Sequence, residues 1–339
     1  MHGSNWTVTK APRDPRQRHP SHMLTDEVIR EALDRGWDEV IRRKFSQPWV
    51  GEQFVRFMKT KRDYGKFMED LGYSGTIPMN RDADTLPVAS KGLGFSSEWR
   101  TYPFRRAIYV ERKTLEIDEQ NIAKGRQEGL MEMFKRTVEY VIADYWNRSF
   151  GVSGSQLLAM DGCYPIDEDR PNPDASADVA TWSNKGPESD LSEDTLFIEE
   201  LAASQQVDPH GNLFPQHIQK MVIPPRWKKK MWKLLETPQV LGNNHNDKNY
   251  ASGAFDMSNV IVYDYLTIDA IFYWLVDPKS DDNELILRKR VEPEVKTEWG
   301  LGTAGNPDVL GMRLRADFGL SLGDVRKSIR GQLLSDSSS

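Results

Sequence analysis

The stretch NIAKGRQEGLMEMFKRTVEYVIADYWNRSFG, residues 121–151, carries the clearest helical pattern in the chain. Its apolar residues recur at steps of three and four, which is the spacing of one face of an α-helix. The members of this stripe are Leu130, Met131, Phe134, Val138, Val141, Ile142, Tyr145 and Trp146. Gly151 suits the residue after a helix, because glycine readily adopts the left-handed conformation found there. The pattern predicts one helix about 45 Å long, which is long for a globular protein.

Strand patterns flank this helix on both sides. Residues 98–118, EWRTYPFRRAIYVERKTLEID, are rich in β-branched and aromatic residues and carry charges on both faces. We interpret them as a projecting ribbon. Residues 309–324, VLGMRLRADFGLSLGD, alternate instead. The apolar set is Met312, Leu314, Ala316, Phe318, Leu320 and Leu322, and the polar set is Arg313, Arg315, Asp317 and Ser321. This alternation predicts a long, half-buried strand, and the whole pattern predicts an α+β fold.

The N-terminal part differs in character from the rest. Residues 1–22 are rich in Pro, Arg and His and have no helical or strand pattern. From Met23 to about Leu71 apolar residues follow near-helical spacing, and they include Val28, Leu33, Trp37, Val40 and Ile41. The stripe is narrow and densely flanked by charge, so the segment needs another surface to cover it. Residues 72–99 have the composition of an extended linker. We predict a partly helical arm over residues 1–95.

Composition narrows the possible classes of protein. The chain has 339 residues and a net charge of -6, so no overall field draws it to DNA or to anionic lipid. Cys163 is the only cysteine, which excludes an internal disulfide and indicates a reducing compartment. The N-terminus lacks the apolar core of a secretory signal. The most apolar window, residues 259–276, contains Asp264 and Asp269. We therefore expect a protein that crosses no membrane and is made in cytoplasm.

The sequence contains no recognisable catalytic, cofactor or metal motif. No glycine-rich phosphate loop is present. GVSGS at 151–155 has Ser155 where a nucleophile elbow needs glycine, and it follows a helix rather than a strand. The acidic run at 167–178 lacks the central glycine and final glutamate of a calcium loop. The six histidines are scattered. We expect no cofactor, no bound metal and no enzymatic activity.

The stretch MVIPPRWKKKMWKLLETPQ, residues 221–239, combines tryptophans with a cluster of cations. On a helical wheel, Trp227, Met231, Leu234 and Leu235 share one side, and Arg226, Lys229, Lys230 and Lys233 cluster on the other. We interpret it as an amphipathic helix packed on a sheet, with lysine stems at its rim. Direct DNA binding and a salt-bridged contact with a neighbouring subunit remain open alternatives for the cationic face.

A series of short motifs follows in fixed order over residues 98–325. After the long helix come WNRSFG, MDGCYPID, WSNKG, DLSEDTLFIEE, DPHGNLF, the Pro-Pro step at 224–225, GNNHNDKN, YLTIDAIFYWLVD and LRKRVEPEV. In this order the chain resembles the major capsid proteins of tailed double-stranded DNA phages, whose fold was first described for phage Hong Kong 97. The resemblance is closest to the Mu-like major head subunits. MDGCYP departs from the Pro-Leu-Phe ending that is usual there.

The resemblance implies a layout for the whole chain. Its parts are an N-terminal arm (1–95), an extended E-loop (96–120), the spine helix of a peripheral domain (121–151), a mainly axial domain (152–275), C-terminal strands that return to the peripheral domain (276–330) and a polar tail (331–339). The arm and the E-loop would lie over neighbouring subunits, which agrees with their lack of a self-sufficient apolar face.

The resemblance also implies a function. Pentamers and hexamers of the chain would form an icosahedral shell, assembled in the host cytoplasm and found in the virion. The shell would hold packaged double-stranded DNA without sequence-specific binding. Its partners would be a portal protein and scaffold or decoration proteins, with no membrane. One alternative is the shell subunit of an encapsulin-like nanocompartment. Another is an enzyme that uses the region 152–250.

Exposed cations and one arm tryptophan are the residues that we expect at contacts between subunits. They are Trp37, Arg105, Arg106, Arg112, Lys113, Arg226, Lys229, Lys230 and Lys233. Some capsids of this fold crosslink a loop lysine to a neighbour's asparagine. Lys113 lies in the corresponding loop, but a single lysine does not predict such a bond, and we expect none.

Overall fold

The long helix predicted from the sequence is present as α1, Ile122–Asn147. The computed structural model of the chain describes residues 50–73, 91–111, 122–151, 158–174, 180–238, 248–299 and 308–335. The predicted stripe of α1 is buried, except that Val141 is half-buried. The chain leaves the helix through a turn that ends at Gly151, whose φ of 91° favours glycine. α1 is therefore the central element around which the sheets pack.

The first sheet contains the longest strands that the structure describes. Its order is β1 (Arg56–Lys59), β10 (Leu285–Trp299), β11 (Val309–Leu322) and β4 (Tyr102–Glu111). β1 runs parallel to β10, and the other two pairs are antiparallel. Leu310, Met312 and Leu314 of β11 share one apolar core with α1.

The second sheet is covered on both faces. Its order is β12 (Ile329–Leu333), β9 (Ala270–Trp274), β7 (Lys220–Ile223) and β8 (Val260–Val262). One face packs on α1, where the Trp146 ring lies 4.7 Å from Phe272 and 5.0 Å from Trp274. The opposite face belongs to a second apolar cluster together with α2 (Glu193–Ser204), α3 (Lys228–Glu236) and α4 (Tyr250–Ala254). The three short helices thus form an outer layer, separated from α1 by the sheet.

A two-stranded ribbon lies between β1 and β4 in the chain, and it begins earlier than the ribbon predicted at residues 98–118. It pairs β2 (Tyr64–Tyr73) with β3 (Lys91–Arg100) in antiparallel register. The helical pattern that was predicted to reach Leu71 is wrong over β1 and β2, and residues 91–99 form a strand rather than a linker. The ribbon does not begin at residue 98, because residues 102–111 are a strand of the first sheet. A further short strand pair joins β5 (Arg170–Pro171) to β6 (Thr181–Trp182).

The predicted half-burial of β11 holds only for its first part. The apolar set of the strand is buried, as predicted, and Arg313 is exposed. Asp317 and Ser321, however, are also buried. Asp317 accepts hydrogen bonds from Arg290 and Arg315, and Ser321 accepts one from Arg288. The chain that joins β3 to β4 passes close to β11 at Gly319. A Cβ on residue 319 would lie 2.0 Å from the Arg100 carbonyl oxygen. The ribbon connection therefore covers the face that was expected to meet solvent.

The first described residues belong to the body of the protein and not to an arm. Phe54 and Val55 are buried in the main core, and β1 forms an edge of the first sheet. The predicted arm of residues 1–95 thus includes core residues from position 50 onward. Residues 1–49 and 74–90, and the helix predicted around Trp37, lie outside the described residues. Among the helices that the structure describes, none has the length and apolar character needed to cross a membrane.

Candidate inter-subunit surfaces

The amphipathic helix predicted near Trp227 is α3, preceded by a turn of 3-10 helix at Pro225–Trp227. Pro224 and Pro225 begin it, where the missing backbone N–H groups cost nothing. Trp227, Met231, Leu234 and Leu235 are buried in the outer-layer cluster, as the helical wheel predicted. The Trp227 indole N–H donates a 2.9 Å hydrogen bond to Asp269 Oδ1. The helix is thus fixed on the second sheet by its apolar face and by one polar anchor.

The four predicted cations around α3 divide into two pairs. Arg226 Nη1 lies 2.6 Å from Asp269 Oδ2, and Lys230 forms an ion pair with Asp190. Lys229 and Lys233 are exposed, and neither forms an ion pair with a described residue. All four cations and Trp227 line a surface depression of about 260 Å³. Carboxylates of the same chain hold one pair of cations, so the other pair remains available to another molecule.

An exposed apolar stripe on α2 was missed by the sequence reasoning. The helix starts after Ser192, whose side chain accepts a 3.2 Å hydrogen bond from the Thr195 N–H. Phe197, Ile198 and Leu201 are nevertheless exposed, while Leu196 is fully buried. The signal was present in DTLFIEELAAS, which has more apolar residues than one buried face can hold. Such a stripe is typical of a surface that another chain covers.

The ribbon has two different faces. Tyr64, Met68 and Leu93 are each at least 64% exposed on its outer side. The inner side packs on the body through Phe67 and Trp99, whose rings each lie 4.4 Å from the Arg288 guanidinium. The ribbon is therefore anchored by one face, and its exposed apolar residues are available to a second molecule.

A buried carboxyl belongs to the inner face of the ribbon. Glu69 is 8% exposed and accepts a 3.1 Å hydrogen bond from the Phe95 N–H. Burial, followed by the negative charge of Asp324, raises the pKa of Glu69 from 4.5 to about 7. The contact between the ribbon and the body therefore contains a group that titrates near neutral pH.

The remaining candidate residues lie elsewhere. Arg105 and Arg106 are exposed on β4, beside Leu130 and Met133 of α1. They are on the opposite side of the second sheet from the α3 cations, so the two groups do not form one site. Trp37, Arg112 and Lys113 lie outside the described residues.

The two histidines in the described ranges each contact one carboxylate. His210 Nδ1 lies 2.7 Å from Asp174 Oδ2, and His217 Nδ1 lies 2.7 Å from Glu200 Oε1. Across those ranges no three or more His, Cys, Asp and Glu side chains are arranged to hold a metal ion.

Comparisons with known proteins identify the fold. No family model matches the sequence, and no curated protein sequence matches it. Solved structures do match the chain over most of its length. A structure of Mycobacterium phage Patience superposes with a TM-score of 0.51 at 11% identity, covering 93% of this chain and 91% of that one.

Two further matches each cover at least 85% of this chain. The procapsid of bacteriophage JBD30 gives a TM-score of 0.50 at 11% identity and covers 93% of this chain and 77% of that one. The capsid of an empty GTA particle gives 0.50 at 12% identity, with 85% and 90% covered. The chain thus has the mixed helix-and-sheet fold of phage capsid structures. The Hong Kong 97-like capsid fold that the motif order predicted is confirmed.

Proposed function

We propose that the chain is a capsid subunit that assembles with copies of itself into a closed shell. The observation that carries this proposal is the fold match over nearly the whole length of both chains. The exposed apolar residues on α2 and on the outer ribbon face support it, because soluble monomers rarely expose such groups together. In a closed assembly each of these surfaces would be buried by a symmetry-related copy.

The finer form of the proposal is the major head protein of a tailed phage. Pentamers and hexamers would form an icosahedral shell, assembled in the host cytoplasm and retained in the virion. The shell would enclose packaged double-stranded DNA without reading its sequence, and it would meet a portal protein and scaffold or decoration proteins. The subunit would catalyse no reaction, bind no cofactor and insert in no membrane. The net charge of -6 suits a wall that does not grip DNA.

The elements suggest a domain assignment within this proposal. α1 and the first sheet would form the peripheral domain, with α1 as its spine. The second sheet and the outer layer of α2, α3 and α4 would form most of the axial domain, which meets its copies around the symmetry axes. The ribbon of β2 and β3 would be the E-loop, so the E-loop would lie before residues 102–111 rather than across them.

Electron microscopy of the expressed chain tests the proposal. We expect closed shells of uniform size when the chain is expressed alone or with its neighbouring genes. Nucleic acid inside those shells would support a phage head, whereas a protein cargo would indicate an encapsulin-like compartment. Absence of shells under both conditions would contradict the shell proposal and favour an enzyme that uses the region 152–250.

Removal of residues 1–49 is expected to abolish shells and to leave a folded, soluble subunit. Every core residue of the described ranges is retained in this variant, whereas the part of the predicted arm that precedes the core is lost. Circular dichroism and size-exclusion chromatography measure folding, and microscopy measures assembly. Intact shells from the shortened chain would show that the arm is dispensable.

Charge reversal at Lys229 and Lys233 is expected to reduce the yield of shells without altering the DNA affinity of the free subunit. Both side chains are exposed, so the stability of the subunit should change by no more than about 1 kcal/mol. The matched control reverses Lys61 and Lys279, two exposed lysines remote from α3. Sedimentation measures shell yield, and a salt titration measures DNA binding. A large, salt-dependent loss of DNA affinity in the α3 variant would identify this face as a DNA contact.

A further inference from the structure

Two helices of the outer layer carry opposite charge. Residues 186–219, which include α2, contain no Lys or Arg, whereas residues 220–235, which include most of α3, contain no Asp or Glu. The acids of the first segment are Glu188, Asp190, Glu193, Asp194, Glu199, Glu200 and Asp208. The cations of the second segment are Lys220, Arg226, Lys228, Lys229, Lys230 and Lys233. Negative charge is thus concentrated around α2 and positive charge around α3.

Contacts within the subunit neutralise only part of this charge. The ion pairs that do so are Lys230–Asp190, Arg226–Asp269 and Arg330–Glu199. The exposed residues that form no ion pair with a described residue are Glu188, Asp194, Lys228, Lys229 and Lys233. Each surface therefore retains charge that the rest of the described subunit does not balance.

Both surfaces also expose large apolar side chains beside the unbalanced charge. On α2, Asp194 lies one helical turn before Phe197 and Ile198, which are both exposed. On α3, Lys228 and Lys229 lie one turn before Trp232, which is 54% exposed. Tryptophan is among the side chains that contribute most to binding energy when an interface buries them. The two surfaces are thus complementary both in charge and in apolar character.

The two surfaces cannot meet within one subunit. Lys230 contacts Asp190, which lies two residues before the N-cap of α2, so position 230 points toward the start of α2. Successive residues of an α-helix are about 100° apart, so Trp232 lies about 200° around the helix axis from Lys230. Trp232 therefore points away from α2 of its own chain, and the apolar residues of α2 can be covered only by another molecule.

We propose that α3 of one copy packs on α2 of a second copy, with Trp232 against Phe197 and Ile198. Lys228 and Lys229 then lie beside Asp194 of that copy. The contact joins two different surfaces, so it is head to tail, and it generates a ring where the rotation between copies closes. This inference rests on the shell proposal and specifies one contact within the shell.

Photocrosslinking in assembled shells tests this contact. p-Benzoylphenylalanine replaces Trp232, and mass spectrometry maps the peptide that it captures after irradiation. We expect capture of residues 193–204, and a mixture of light and heavy-isotope chains should show that the capture joins two chains. The same photoreactive group at Tyr64, on the outer ribbon face, is the matched control and should not label α2.

The outcomes separate this contact from the shell proposal. Shells in which position 232 captures another element, captures α2 of its own chain or captures nothing would overturn the contact and leave the shell proposal intact. Labelling of α2 from Tyr64 as well would also overturn it, because the capture would then not be specific to α3. Absence of shells from the parent chain would contradict the shell proposal and this contact together.

A charge exchange tests the same contact without a photoreactive group. Lys229→Glu should lower the yield of shells about tenfold, because it places like charges beside each other. Addition of Asp194→Lys should restore most of the yield, whereas addition of Asp282→Lys, at an exposed acid in the loop before β10, should not. Circular dichroism checks that each variant folds, and sedimentation measures the yield. No loss from Lys229→Glu, or equal yields from the two double variants, would overturn the proposal.

Discussion

Replacement of Phe54 by alanine is expected to lower the free energy of unfolding by about 3–5 kcal/mol. The side chain is fully buried at the junction of the two sheets and α1. Its ring lies 5.0 Å from Tyr263, 5.5 Å from Trp274 and 6.4 Å from Trp146. Truncation leaves a cavity among large rings that cannot collapse, in a domain whose total stability is about 5–15 kcal/mol. Urea unfolding followed by circular dichroism measures the loss.

The control for this variant is Tyr64→Ala, which removes an aromatic ring 10 positions further along the chain. Tyr64 is exposed on the outer ribbon face, so a change within about 0.5 kcal/mol is expected. Equal effects of the two substitutions would contradict the placement of residue 54 in the core. Because Phe54 is buried in the core, the arm must end before about residue 50. A longer deletion would remove both Phe54 and β1.

The elements that bury a regular stripe of their own residues could be predicted from the sequence. α1 and the first part of β11 bury a regular stripe, so Leu130, Phe134 and Met312 could be assigned to the core from spacing alone. The start of α2 was also predictable, because its N-cap bond joins residues only three apart. In these cases the local sequence contains the physical cause of the structure.

The ribbon was misplaced because its partners are remote in sequence. Phe67 and Trp99 meet through Arg288, which is about 190 residues beyond Trp99. Gly65 allows the strands to approach, since a Cβ there would lie 2.5 Å from the Trp99 ring. Neither fact follows from the local pattern of residues 60–100, which read as helix followed by linker.

The ion pairs on the cationic face of α3 also depend on residues that are remote in sequence. The helical wheel predicted which side of α3 is buried, because that depends on spacing within the helix. It could not distinguish Lys229 from Lys230, since the distinction depends on Asp190, about 40 residues away. The exposed stripe of α2 was missed for a related reason. Which apolar residues of α2 are buried depends on how the helix packs on the second sheet, and the sequence of α2 alone does not show this.

Replacement of Glu69 by glutamine is expected to raise the free energy of unfolding at pH 8 by about 1–3 kcal/mol and to have little effect near pH 4. The carboxyl is buried between the ribbon and the body, near Asp324 and Asp161. Arg326 and the Phe95 N–H offset part of this cost, yet the pKa is still raised to about 7. At pH 8 the folded protein thus holds a buried carboxylate that glutamine replaces with a neutral group of the same shape.

The direction of the pH effect follows from the raised pKa. The folded chain holds the Glu69 proton up to about pH 7, whereas the unfolded chain releases it near pH 4.5. Between these values the folded state binds more protons, so stability decreases as pH rises. The stabilising contribution of the protonated carboxyl is complete below pH 4.5 and is lost above about pH 7. The full difference corresponds to about 3 kcal/mol.

Urea unfolding of both proteins at several pH values measures this effect. The difference between Glu69→Gln and the parent chain isolates residue 69 from the buried Glu199 and the half-buried Glu284, whose pKa values are also raised by burial. The matched control is Glu98→Gln, on the exposed face of the same ribbon, where the carboxylate pairs with Lys66 at 3.4 Å.

A pH-independent difference at residue 69 would show that the loss of the carboxylate's hydrogen bonds dominates. A pH-dependent difference of equal size at residue 98 would show that burial is not the cause. The expected result, pH dependence at 69 alone, would make the ribbon contact the part of the subunit most sensitive to ionisation near neutral pH.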